Sequence, residues 1–164
     1  MPTQAAAITQ VINSITKEEQ ALGNLITKET AKLDNVLQNP DTTPADLIAI
    51  NKSIGDMIAE IGNNNDALAD KLGAALSGEE PTDPTEIQER EDAINDLIGS
   101  IADEEDAMAD LIDKEAEKIQ WTIDNPNSSI QDLIDINNSV VDVIKGLANN
   151  NTALAKKLAT VTGN

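Results

Sequence analysis

The chain has 164 residues, 40% of them hydrophobic, with 11 basic and 30 acidic side chains and a formal net charge of −19 at pH 7. That charge repels a phosphate backbone and anionic lipid headgroups, so nucleic acid and membrane are excluded as expected partners; cationic proteins, divalent cations and further copies of the chain are left. Cys, His, Phe and Tyr are absent and Trp occurs once, which removes disulfides, thiolate and imidazole chemistry and sulfur-ligated metals and makes the core aliphatic.

In chain order, the start MPTQAAAITQVI has no basic segment ahead of an apolar run, so no Sec signal is read there. Apolar residues at 8, 12, 15, 22, 26, 33 and 36 then follow three-four spacing and predict one helix over residues 5–38. Asn39-Pro40 stops it. Thr43 reads as an N-cap, with Pro44 in the first turn and Asp46 three residues after the cap, and opens a second helix to residue 76. Its stripe, Leu47, Ile50, Ile54, Met57, Ile61, Leu68 and Leu72, stays in phase across the triplet Asn63-Asn64-Asn65, which predicts a continuous helix there. The segment SGEEPTDPT is a short stiff connector, because Pro81 blocks continuation and Asp83-Pro84 restarts a helix. A third helix over 84–123, the turn DNPNSS, and a fourth helix opened by Ser129-x-x-Asp132 and running to residue 161 complete the chain.

The second half repeats the first. A shift of 86 aligns Ile8 to Gly78 with Ile94 to Asn164 without a gap, and 30 of 71 positions are identical. The fold class is therefore all-α, with two tandem long helical hairpins, residues 1–78 and 86–164 joined by a linker at 79–85. Helices of this length span about 50 Å and carry an apolar face that a lone hairpin leaves uncovered. The hairpins pack into an antiparallel four-helix bundle or form an extended array completed by neighbours.

Glu19, Glu29, Glu105 and Glu115 fall on the apolar lines of the first and third helices. Hairpin geometry sets Glu19 beside Asn64 and Asn65, Glu29 beside Ser53, Glu105 beside Asn150 and Asn151, and Glu115 beside Ser139, with Asn51 and Asn137 in the same polar layers. Such layers fix helix register, since a slipped register leaves a buried charge unpaired. The alternatives are an all-oxygen site for Ca²⁺, Mg²⁺ or Mn²⁺ built from the four glutamates, or glutamates wholly in solvent. Trp121, which replaces Asn35 of the first repeat, reads as a packing residue at a helix end or as an interface anchor. The third helix carries 13 acidic against 3 basic groups between residues 86 and 123, either a solvated face or a surface for a basic partner.

The segments SIADEEDAMADLIDKEAEKIQ and SIQDLIDINNSVVDVI resemble the helical-hairpin module of Bacillus- and Clostridium-type proteins, some of them associated with spore-surface collagen-like chains. Glu117, Lys118, Ile119, Gln120, Asn137 and Ser139 carry the resemblance; the first repeat keeps Lys32, Asn51 and Ser53. It implies a structural, surface-associated role. The reading is a non-enzymatic structural protein without a cofactor that self-assembles into a fibre, layer or oligomer, at a spore or cell surface rather than in the cytoplasm. An acidic binding module for a basic protein and a divalent-metal carboxylate bundle are the alternatives.

Overall fold

The computed structural model describes residues 3–78 and 80–163; Met1, Pro2 and Asn164, at the outer ends of the two predicted repeats, and Glu79, the first linker residue, lie outside the described residues. Four helices follow one another: α1 (Gln4–Gln38), α2 (Pro44–Leu76), α3 (Pro84–Asp124) and α4 (Ile130–Thr162). Each begins where a side chain satisfies the free backbone N–H groups of a first turn. Thr3 accepts from Ala6 N, and Asp83 from Thr85 N and Glu86 N. Thr43 with Asp46 and Ser129 with Asp132 form reciprocal capping boxes. The two hairpin turns share one device, in which Asn39 Oδ1 accepts from Asp41 N and Asn125 Oδ1 from Asn127 N, both at 3.0 Å. Gly163, at φ 73°, takes the left-handed conformation that ends α4. The Asn triplets lie inside uninterrupted helix.

The four helices form an all-α bundle whose tightest packing joins the repeats rather than the arms of each hairpin: α1 lies against α3 and α2 against α4. Both pairs run parallel. Gly23 abuts Glu104 and Asp34 pairs with Lys114 at 2.9 Å, while Gly62 abuts Asn150 and Lys156 bonds Asp66 and Asp70 at 2.8 and 2.7 Å. Within each hairpin the antiparallel arms pack more loosely. Ile12, Ile26, Leu33, Ile58, Leu97 and Leu111 are among the aliphatic side chains that fill the interior, and half-buried Trp121 packs on its edge.

The buried face does not follow the sequence repeat. Identical residues recur at a spacing of 86, yet buried residues recur at 85, as in Ile12 and Leu97, Ile26 and Leu111, Ile58 and Val143, Asn65 and Asn150. All eight buried positions of α4 stand 85 residues after a buried position of α2. One residue is about 100° of helix rotation, so the second repeat turns a different face inward from the one its sequence shares with the first.

Close approach of α2 and α4 depends on small residues. A Cβ on Gly62 would stand 3.3 Å from Asn150 N and 3.5 Å from its Cα, backbone atoms fixed by their own helix, whereas Gly99 has nothing within 4 Å. Gly62→Val is expected to lower stability by about 1–3 kcal/mol through overpacking. Gly99→Ala is expected to raise it by up to about 1 kcal/mol through helix propensity alone. Urea unfolding followed by circular dichroism checks both, and equal effects would contradict the close-packed α2/α4 seam.

Candidate functional site

The interior carries two polar layers that take one group or more from several helices. In the first, Glu19 of α1, Asn65 of α2, Glu104 of α3 and Asn150 and Lys157 of α4 are all without solvent exposure. Lys157 Nζ pairs with Glu19 and donates to Asn65 Oδ1 at 2.6 Å. Asn65 Nδ2 donates to Glu104 Oε1 and to Asn150 Oδ1, both at 2.7 Å, and Asn150 Nδ2 donates to Glu104 Oε1 at 2.7 Å and to Met108 Sδ at 3.2 Å.

Two carboxyl groups and one ammonium share this layer. Glu19 Oε1 and Glu104 Oε2 have no hydrogen-bond partner, and a proton shared between these neighbouring carboxyls would engage them. Burial pushes the Glu104 carboxyl up to about 7 against the pull of the Asn150 hydrogen bond, and the neighbouring Glu19 carboxylate pushes it further in the same direction. With Glu104 neutral, Lys157 balances Glu19 and the layer carries no net charge. Burial also lowers the Lys157 ammonium, opposed by Glu19.

The second layer is built on Glu115 and Lys118 of α3, both buried and paired at 2.6 Å. Asn51 Nδ2 donates to Glu115 Oε2 at 2.9 Å and to Ser139 Oγ at 3.3 Å, and Ser139 donates to Ile136 O at 2.7 Å. Burial lowers the Lys118 ammonium and its Glu115 partner raises it. Glu29 is buried at the edge of the bundle and pairs with Lys32. A third buried cation, Arg90, bonds Glu80 at 2.9 Å near the open end of the bundle.

Against the sequence expectations, Glu19, Glu29, Glu115, Asn51, Asn65 and Asn150 lie in the interior. Asn64 and Ser139 are half-buried, and Ser139 joins the second layer. Four placements require correction: Glu105, Asn137, Asn151 and Ser53 are exposed. The physical reason for the first three is the one-residue turn of the second repeat, which brings Glu104, Ile136 and Asn150 inward in their stead. Asn51 meets Glu115 of the other hairpin, not its own hairpin's Glu29, because the repeats interdigitate. The sequence expectations miss Glu104, Lys157 and Arg90; counting the second repeat's stripe at 85 instead of 86 finds them.

The four predicted glutamates do not converge on a cation. Glu105 is in solvent, the others are paired with separate lysines, and no group of three or more acidic side chains disposed to hold a metal ion occurs among the described residues. A surface groove of about 550 Å³ between α2 and α4 is lined in part by Asn51, Asp56, Asp135, Ser139 and Asp142. Two of its carboxylates are engaged by surface lysines, Asp56 by Lys52 at 2.9 Å and Asp142 by Lys145 at 3.0 Å. No helix among the described residues is long and apolar enough to cross a membrane.

Residues 3–79 and 89–164 each match the family model of the alpha-helical endospore appendage domain. No curated protein and no solved structure matches the chain at a significant level.

The Glu104 proton makes stability depend on pH. The folded chain holds it up to about pH 7, whereas an unperturbed carboxyl releases it near 4.5, so the folded state binds more protons between these values and stability falls as pH rises across them. The full effect is on the order of 3 kcal/mol, present below the lower value and lost above the higher one. Glu104→Gln, neutral at every pH, is expected to flatten this slope. Urea midpoints of both chains at about pH 5 and about pH 8 test it; equal pH dependence in the two chains contradicts the shared proton.

Proposed function

Because the chain belongs to the alpha-helical endospore appendage domain family, we propose that it is a non-enzymatic structural subunit that assembles with copies of itself at the spore surface. The observation that carries this reading is the family match over both repeats, which together take in nearly the whole chain. Three features of the molecule support it. The bundle is a rod of about 50 Å, long and narrow enough to build an extended assembly. Its interior carboxylates are engaged by neighbouring lysines and asparagines, Glu19 by Lys157, Glu104 by Asn65 and Asn150, and Glu115 by Lys118 and Asn51. Large aliphatic side chains remain exposed on the second repeat, at Ile112, Ile123, Ile130, Ile134 and Val141.

The charge of −19 opposes association of copies, and salt screens that repulsion. Self-assembly is therefore expected to strengthen as NaCl is raised from about 0.02 M to about 0.5 M, whereas capture of a basic protein by the acidic α3 surface would weaken over the same range. Size-exclusion chromatography with light scattering, followed by electron microscopy of the high-salt fraction, reads the outcome. A monodisperse monomer at high protein concentration and high salt would contradict self-assembly.

A further inference from the structure

The outward face of α4 is a second copy of a core seam. Five of its large aliphatic residues are exposed, Ile130, Ile134, Val141, Ile144 and Leu158, the first of them at 79%. They recur at steps of three, four, seven and fourteen residues, which keep to one face of the helix. Asn137 and Asn151, with Ala148 and Ala155, occupy the intervening positions and are exposed too. This line lies 86 residues after the inner line of α2, and six of its nine positions keep the residue: Ile48 and Ile134, Asn51 and Asn137, Ile58 and Ile144, Asn65 and Asn151, Ala69 and Ala155, Leu72 and Leu158. In α2 five of those six residues are buried and Ile48 packs against the core. The rotation of the second repeat has thus left in solvent a seam that the same sequence buries in the first.

We propose that this seam pairs with the same seam of a second copy, antiparallel, across a two-fold axis at Ile144. The inference rests on the self-assembly reading and specifies one of its contacts. The pattern is nearly symmetric about Ile144: Asn137 falls opposite the other copy's Asn151 and Ile130 opposite Leu158, while Val141 falls within one residue of the small Ala148. Each Asn then finds an amide partner, and the two polar rungs fix the register as buried Asn layers do elsewhere. The contact is isologous because no other helix offers a comparable line: α3 exposes only the widely separated Ile87, Ile112 and Ile123 among the described residues. Among the described residues Val11 is the one large hydrophobic exposed on α1, and α2 exposes none.

The stripe is about 42 Å long, or roughly 400 Å² of apolar strip at a width of about 10 Å. A polar rim of similar size brings it to the ~800 Å² per partner of a stable interface. A two-fold contact closes on itself, so an extended fibre needs a second, different contact in addition.

The absence of native cysteine makes the test direct. Oxidation of Ile144→Cys is expected to give a disulfide-linked dimer, and Val11→Cys is expected to give none. A mixture of Asn137→Cys and Asn151→Cys chains cross-links, while each alone does not. Ile144→Asp is expected to raise the dimer dissociation constant by at least about 100-fold, as loss of a central anchor does, with the helical circular dichroism unchanged. If wild type and Ile144→Asp assemble alike and the thiol introduced by Ile144→Cys stays reduced, the α4 contact is wrong while self-assembly stands. If Asn137→Cys cross-links with itself, the antiparallel register is wrong. If the wild-type chain is monomeric at every concentration and salt, both the contact and the reading beneath it fail.

Discussion

Like charges cannot meet unpaired inside an aliphatic bundle, and that constraint shapes how the two repeats fit together. A duplicated chain folding with equivalent faces inward would set Glu19 against Glu105 and Glu29 against Glu115, with asparagines but no cation between them. The cost of burying a carboxylate without a partner is several kcal/mol. The structure avoids this through a turn of one residue in the second repeat. Lys157 and Lys118 then stand in the interior 85 residues after Leu72 and Leu33, positions that hold leucine in the first repeat. Each main polar layer acquires one ammonium, and the remaining carboxyl, Glu104, holds its proton up to about pH 7.

The same turn determines what faces solvent. With the second repeat rotated, Ile26, Ile58 and Leu72 are buried, but their counterparts Ile112, Ile144 and Leu158 are exposed. A duplication that packed symmetrically would have used both copies of the apolar seam in one molecule. This one uses the seam once inside and leaves its copy outside. The parallel α1/α3 and α2/α4 contacts follow from the same arrangement, since Gly23 and Gly62 let the helix backbones approach closely enough to lock the offset in place.

Much of this architecture was legible in the sequence. Helix starts were written in local chemistry, Thr43 with Asp46 and Ser129 with Asp132, and helix ends in Asn39-Pro40 and Asn125-Pro126. The spore-surface association was legible through the second repeat's motifs, and the family match agrees with it. The inward-facing members of Glu104-Glu105 and Asn150-Asn151 were not, because adjacent residues of one type give the same composition and nearly the same periodicity. The repeat at 86 pointed to the wrong member of each pair. Only the facing helices decide between them, through Asn65 of α2, which bonds both Glu104 and Asn150, and Lys157 on its apolar face reads as a solvated residue until Glu19 is in view.

Leu72 and Leu158 are sequence-equivalent, yet one is buried and the other exposed, and thiol accessibility tests that offset most directly. Single cysteines replace Leu72 and Leu158, and each chain is labelled with a maleimide at a concentration low enough to hold it monomeric. Leu158→Cys is expected to react at nearly the rate of a free thiol, while Leu72→Cys reacts only as fast as the bundle opens. Equal protection of the two would mean that both repeats bury the same face, and would contradict the offset on which the polar layers and the outward seam depend.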